Sequence, residues 1–321
     1  MDAGEFPELD GATAWLNSEP LKPSALRSKV VVVQFCTFSC VNWLRTLPHV
    51  QAWADKYGGD ALVVIGVHSP EFEFERDVHK VRPALEAMGI EYPVAIDNDF
   101  AVWNAFENEA WPALYFIDAE GRIRHRHLGE EDYARSERVI QQLLTEAGHD
   151  VGDEQLVSVE AGGVELAADW DSLGSPETYV GYSRATGFAS PGGLEADRRR
   201  LYQAPERLEL NQWALSGDWT VGEQITTLNE PGGGISFRFL ARDLNLVLGT
   251  RSDGQLVRFS VLIDGGPPNG AGGLDVDARG DGAVADARLY QLIRQAGAIT
   301  DRAFEITFLD PDAQAYVFTF G

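Results

Sequence analysis

Residues 30–35, Val-Val-Val-Val-Gln-Phe, form a continuous apolar run after Lys29, the pattern of a strand buried on both faces of a parallel sheet. A few residues later the period changes. From Val41 the apolar positions Leu44, Leu47, Val50, Trp53 and Tyr57 recur at helical spacing, with Pro48 expected to kink the helix. Residues 61–67 predict a second buried strand, 73–88 a helix and 92–96 a third strand. Alternating β and α segments imply a parallel core. From Trp111-Pro112 onward, Ala-Leu-Tyr-Phe-Ile-Asp, the turn Ala119-Glu120-Gly121 and residues 122–127 predict a β-hairpin. A last amphipathic helix turns Val139, Ile140, Leu143 and Leu144 inward and closes this region before Gly148.

Residues 148–157 are polar and hold two glycines, which suits a linker. Beyond them the texture changes. Gly-Gly pairs at 162, 192, 232, 265 and 272 separate short apolar segments at 235–240, 244–248, 257–263, 304–309 and 316–320. Short strands divided by glycine-rich turns predict an all-β, jelly-roll-like sandwich. The expected organisation is an α/β domain over residues 1–149 followed by the sandwich over 150–321.

A length of 321 residues fits two domains, each able to bury its own core. No apolar run reaches the eighteen residues a spanning helix needs, so no membrane insertion is expected. Fifty acidic against twenty-six basic residues give a net charge of −24, which repels nucleic acid and anionic membranes. The acidic start, Met1 to Glu8, has no basic, apolar signal pattern. As written it predicts a cytoplasmic protein; a trimmed N-terminus would leave an extracytoplasmic one equally consistent.

There are two cysteines, Cys36 and Cys40, so neither a disulfide scaffold nor a cysteine-based zinc site is expected. Cys40 follows a buried strand and opens a helix, where unpaired backbone N–H groups and the helix dipole stabilise a thiolate. Cys36, at the apolar strand end, fits an inert core thiol. His125 and His127 point to one face of a strand but lack a third metal ligand, and Asp97 and Asp99 read as caps before a helix. The Gly-Gly pairs follow no nucleotide-binding spacing. No metal or cofactor is predicted.

The segment Phe35-Cys36-Thr37-Phe38-Ser39-Cys40-Val41-Asn42-Trp43-Leu44-Arg45-Thr46-Leu47-Pro48 resembles the active-site segment of thioredoxin-like domains of the DipZ and TlpA type. Gly66 to Phe72, Asp97-Asn98-Asp99, Trp111-Pro112-Ala113 and the closing Ala315 to Gly321 extend the likeness over nearly the whole chain. The resemblance implies a thioredoxin-like domain followed by a carbohydrate-binding-module-like sandwich. It implies that Pro112 is a cis-proline facing the reactive cysteine, and that Cys40 is the nucleophile of thiol–disulfide exchange. Against that pattern Trp43 replaces the resolving cysteine, Cys36 replaces a packing tryptophan, and Gln34 replaces a buried acid.

Exchange by a Cys-x-x-Cys pair is therefore impossible, and several readings stay open. Cys36 could resolve across a Cys-x-x-x-Cys spacing, or a low-molecular-weight thiol could do so. Thr37-x-x-Cys40 also matches a thiol peroxidase. Alternatively the redox site has decayed and the sandwich acts as a binding module. Trp43, Trp111 and Pro112 are the candidate substrate contacts for a thiol or disulfide protein. Trp213, Trp219, Tyr182 and Tyr290 are candidates for stacking on carbohydrate, although most tryptophans must pack in a core.

Overall fold

The computed structural model describes residues 4–59, 61–152, 154–252 and 254–321, so Met1 to Ala3 of the acidic start lie outside the described residues. The chain forms two compact units, Met1–Leu166 and Ala167–Gly321. The first contains β1 (Ala14–Leu16), β2 (Val30–Cys36), α1 (Val41–Tyr57), β3 (Leu62–His68), α2 (Val78–Ala87), β4 (Val94–Ile96), α3 (Ala101–Ala105), β5 (Ala113–Ile117), β6 (Ile123–Leu128) and α4 (Tyr133–Glu146). Its sheet order is β1-β4-β3-β2-β5-β6. Strands β2, β3 and β4 are parallel; β1, β5 and β6 run against their neighbours.

The apolar run of β2 is buried throughout because successive side chains enter different cores. Val31, Val33 and Phe35 pack with Val102 and Phe106, whereas Val30 and Val32 pack with Val50, Trp53 and Tyr57 of α1 and with Ile140, Leu143 and Leu144 of α4. The predicted strands, first helix, hairpin and last helix are all present, with ends shifted by one to three residues. One departure follows from local chemistry. The helix expected over 73–88 is broken into a short 3-10 turn, Glu73–Arg76, and α2, because Asp77 is extended and caps α2 by accepting from His79 N. Asp97 caps α3, accepting from the backbone N–H groups of Val102 and Trp103, each at 2.9 Å.

The expected boundary at 149/150 lies within the first unit. Buried Glu137 of α4 accepts from Trp53 Nε1 (3.2 Å), Tyr57 OH (2.6 Å) and Val157 N (2.9 Å), and Val151 and Val157 pack on the α1/α4 core. These contacts anchor Val151 and Val157 to the first unit, which ends at Leu166/Ala167.

In the second unit all paired strands are antiparallel and curl into a β-sandwich around one core that includes Trp213, Phe237, Phe259, Tyr290 and Phe318. The strand Trp213–Val221 contributes to both halves: its first residues pair with Gly234–Phe239, its later ones with Arg199–Tyr202 and Thr226–Leu228. It turns at Gly217, whose φ is 92° and whose missing Cβ would stand 2.6 Å from Gly233 Cα. Trp213, Trp219 and Tyr290 are fully buried. They are therefore core residues rather than sugar platforms; of the four aromatic candidates, Tyr182 alone is exposed.

Candidate functional site

Cys40 is the N-cap of α1: its own conformation is extended (φ −78°, ψ 115°) and its carbonyl accepts the first helical bond from Leu44 N. The turn before it closes through Cys40 N donating to Thr37 O at 3.2 Å. This places the Cys40 thiol, half-buried, at a helix start. Its Sγ lies 4.0 Å from the carbonyl oxygen of Trp111, and the Trp111–Pro112 bond is cis. Residues 71 apart in sequence thus meet because β5 pairs with β2, bringing Ala113 opposite Phe35.

Cys36 occupies a different environment. It is the last residue of β2, 2% exposed, and its thiol donates to Val67 O at 3.4 Å. Burial pushes this thiol far up from its ordinary range, and the nearby Glu75 and Cys40 add to the effect. Among the described residues there is no disulfide, and both cysteines are thiols.

Of the two tryptophans expected as substrate contacts, only one is placed for that role. Trp43 is 0% exposed and cannot touch a docked substrate: the helical period that carries Leu47 and Val50 inward carries position 43 inward too. Trp111 is half-exposed, held by its indole N–H donating to Ser69 O at 3.0 Å and packed against Trp103 at 4.4 Å. Gln34 is buried in a neutral network, donating to Thr46 Oγ1 at 2.7 Å and accepting from Tyr92 OH at 3.3 Å. His125 and His127 both sit on β6, and no three-residue metal cluster occurs among the described residues.

Sequence reasoning missed several groups around the thiols. Glu75, fully buried, accepts from both the hydroxyl (2.6 Å) and the backbone N–H (3.3 Å) of Ser39, and from the backbone of Glu71 and Phe72. Burial raises its carboxyl above the ordinary range, opposed by the bonds from Ser39 and Phe72. His68, opposite Cys36 in the sheet register, is buried and stacked on Phe38, and burial lowers its imidazole to about 4. Glu75 lies in the alternating run Glu71-Phe72-Glu73-Phe74-Glu75, which gives no hint of which acid turns inward.

Comparison with known proteins adds to this geometry. Residues 5–126 match the model of the AhpC/TSA family, and residues 175–321 match the thioredoxin like C-terminal domain. Protein DipZ of Mycobacterium tuberculosis is 35% identical over 271 residues, 83% of this chain; the chain spans 38% of that relative's length. Thiol-disulfide oxidoreductase YkuV of Bacillus subtilis is 34% identical over 141 residues, 44% of this chain and 95% of the relative. A solution structure of a thioredoxin-like protein in the oxidized form is 34% identical, covering 46% of this chain and 99% of its own, with a TM-score of 0.42.

Proposed function

The chain belongs to the DipZ and TlpA type of thioredoxin-like thiol–disulfide oxidoreductases, and from that premise we propose that it exchanges disulfides through Cys40 alone. The observation that carries this reading is the inequality of its two thiols. Cys40 is half-exposed at a helix start, where oriented peptide N–H groups favour a thiolate. Cys36 is buried, donates to a carbonyl and is held protonated by that burial. A protonated thiol is a poor attacker of a disulfide, so Cys36 is ill-suited to resolve a mixed disulfide on Cys40.

In the proposed cycle the Cys40 thiolate attacks one sulfur of a substrate disulfide, and the other sulfur leaves with the bonding pair as a thiolate. A low-molecular-weight thiolate then attacks the substrate sulfur of the mixed disulfide. Cys40 departs as a thiolate, and the substrate sulfur is left bonded to the small thiol. One disulfide is consumed and one is formed at each turn. Trp111 is the proposed contact for an extended peptide bearing the disulfide, supported by the approach of Cys40 Sγ to its carbonyl and by its partial exposure; Pro112, expected as a contact, is buried and shapes the cis turn behind it. Carbohydrate binding by the sandwich retains Tyr182 as its exposed aromatic candidate.

The test is intact-mass analysis with differential alkylation after exposing the reduced protein, Cys36→Ser and Cys40→Ser to oxidised glutathione. An adduct confined to Cys40 and released by excess glutathione supports the proposal. A Cys36–Cys40 disulfide would replace it with a dithiol cycle. Two unmodified thiols would move the search for function to the sandwich. Rapid consumption of hydrogen peroxide, lost in Cys40→Ser, would favour the peroxidase reading.

A further inference from the structure

The residue before the nucleophile is held from outside its own helix. Ser39 Oγ donates to Glu75 Oε1 at 2.6 Å and Ser39 N donates to the same oxygen at 3.3 Å. The other oxygen, Oε2, takes Glu71 N at 2.7 Å and Phe72 N at 2.9 Å. Four donors converge on this carboxylate and support its charged form against the upward push of burial. It is fully buried, so its charge is weakly screened. Strand β2 supplies no charge here, since Gln34 is neutral and bonded to Thr46 and Tyr92.

We propose that Glu75 is a positioning residue for the nucleophile: its buried carboxylate fixes the Ser39–Cys40 turn and, as a negative charge beside that turn, opposes formation of the Cys40 thiolate. The titratable groups facing it are Cys36 from the end of β2 and Glu71 from its own segment. His68 of β3 stacks on Phe38 and is neutral through burial. The helix start and Glu75 thus act on Cys40 with opposite signs. A thiol restrained in this way leaves a mixed disulfide less readily, which lengthens the life of the Cys40 adduct. The proposal rests on Cys40 being the nucleophile, but its readout is the thiol itself, so it can fail while disulfide exchange stands and can hold if exchange is absent.

The experiment is the rate of iodoacetamide alkylation at Cys40, followed by mass spectrometry from pH 5 to 10 in the full chain. Glu75→Gln is expected to move the midpoint about one pH unit downward, about a tenfold faster reaction on the acid limb. A folded Glu75→Gln with an unmoved midpoint overturns the proposal. A wild-type measurement covers the case in which Glu75→Gln fails to fold. The ¹³C carboxyl resonance of Glu75 should shift as Cys40 ionises and lose that step in Cys40→Ser, because coupling between two sites is reciprocal. A resonance blind to Cys40 ionisation overturns the proposal equally.

Discussion

The guanidinium of Arg45 meets the carboxylate of Glu130 at 2.9 Å, with the two side chains only 3% and 6% exposed. Arg45 lies one helical turn and a residue beyond Cys40 on α1. Glu130 follows Gly129, whose N–H donates to Pro112 O at 2.8 Å. The pair therefore ties the helix that carries the thiol to the segment that carries the cis-proline.

Removing one partner of this pair should be costly, because it leaves a buried charge alone. Arg45→Met is expected to destabilise the first unit by about 3–5 kcal/mol in urea unfolding. Arg45→Met combined with Glu130→Leu should recover most of that loss. Equal losses in the single and double variants would show that packing, not charge, dominates at this site.

The two thiols should separate cleanly under a thiol reagent. Native protein is expected to titrate one equivalent at Cys40 within minutes, with Cys36 reacting only after unfolding, since it is buried and held protonated. Two equivalents at similar rates in native buffer would contradict the burial of Cys36.

Trp43→Cys alone should cost about 3–5 kcal/mol, because it empties the space of a fully buried indole. Adding Cys36→Trp returns an indole to the position where DipZ-type relatives carry one. The double variant is expected to regain part of the stability and, on oxidation, to join Cys40 to the thiol introduced at position 43, visible as a loss of two hydrogens in the intact mass. A double variant no more stable than Trp43→Cys would show that the two sites do not share volume.

His68 should report on acid stability. Its imidazole titrates near 6.5 when unfolded and at about 4 when folded, so between those values the unfolded chain binds the extra proton. Its contribution is present above about pH 6.5 and is lost as pH falls through that window, amounting to about 3 kcal/mol. Neither ring nitrogen has a hydrogen-bond partner among the described residues, so His68→Phe keeps the stack on Phe38 and loses no bond. The stability gap between His68→Phe and wild type, from urea melts at pH 7, 5.5 and 4, should widen steadily on acidification. A constant gap would mean that His68 protonates without cost in the folded state.

The run Val30 to Val33, the period of α1 from Leu44 to Tyr57 and the hairpin around Gly121 were legible because burial pattern and local geometry share one periodicity. The same local logic put Cys40 at a helix start and marked the segments of the second unit as short strands. What the sequence could not reveal depends on contacts between distant residues. Trp43 is core and Trp111 is not, although both are indoles near the thiol, because one follows the inward face of α1 and the other sits on a loop end. Glu75 turns inward while Glu73 stays in solvent because Ser39, 36 residues away, offers it donors. Residues 148–157 read as a linker until Glu137 supplies an acceptor for Val157 N. In each case a buried polar group must be satisfied, and which partner satisfies it is a property of the assembled fold rather than of the chain nearby.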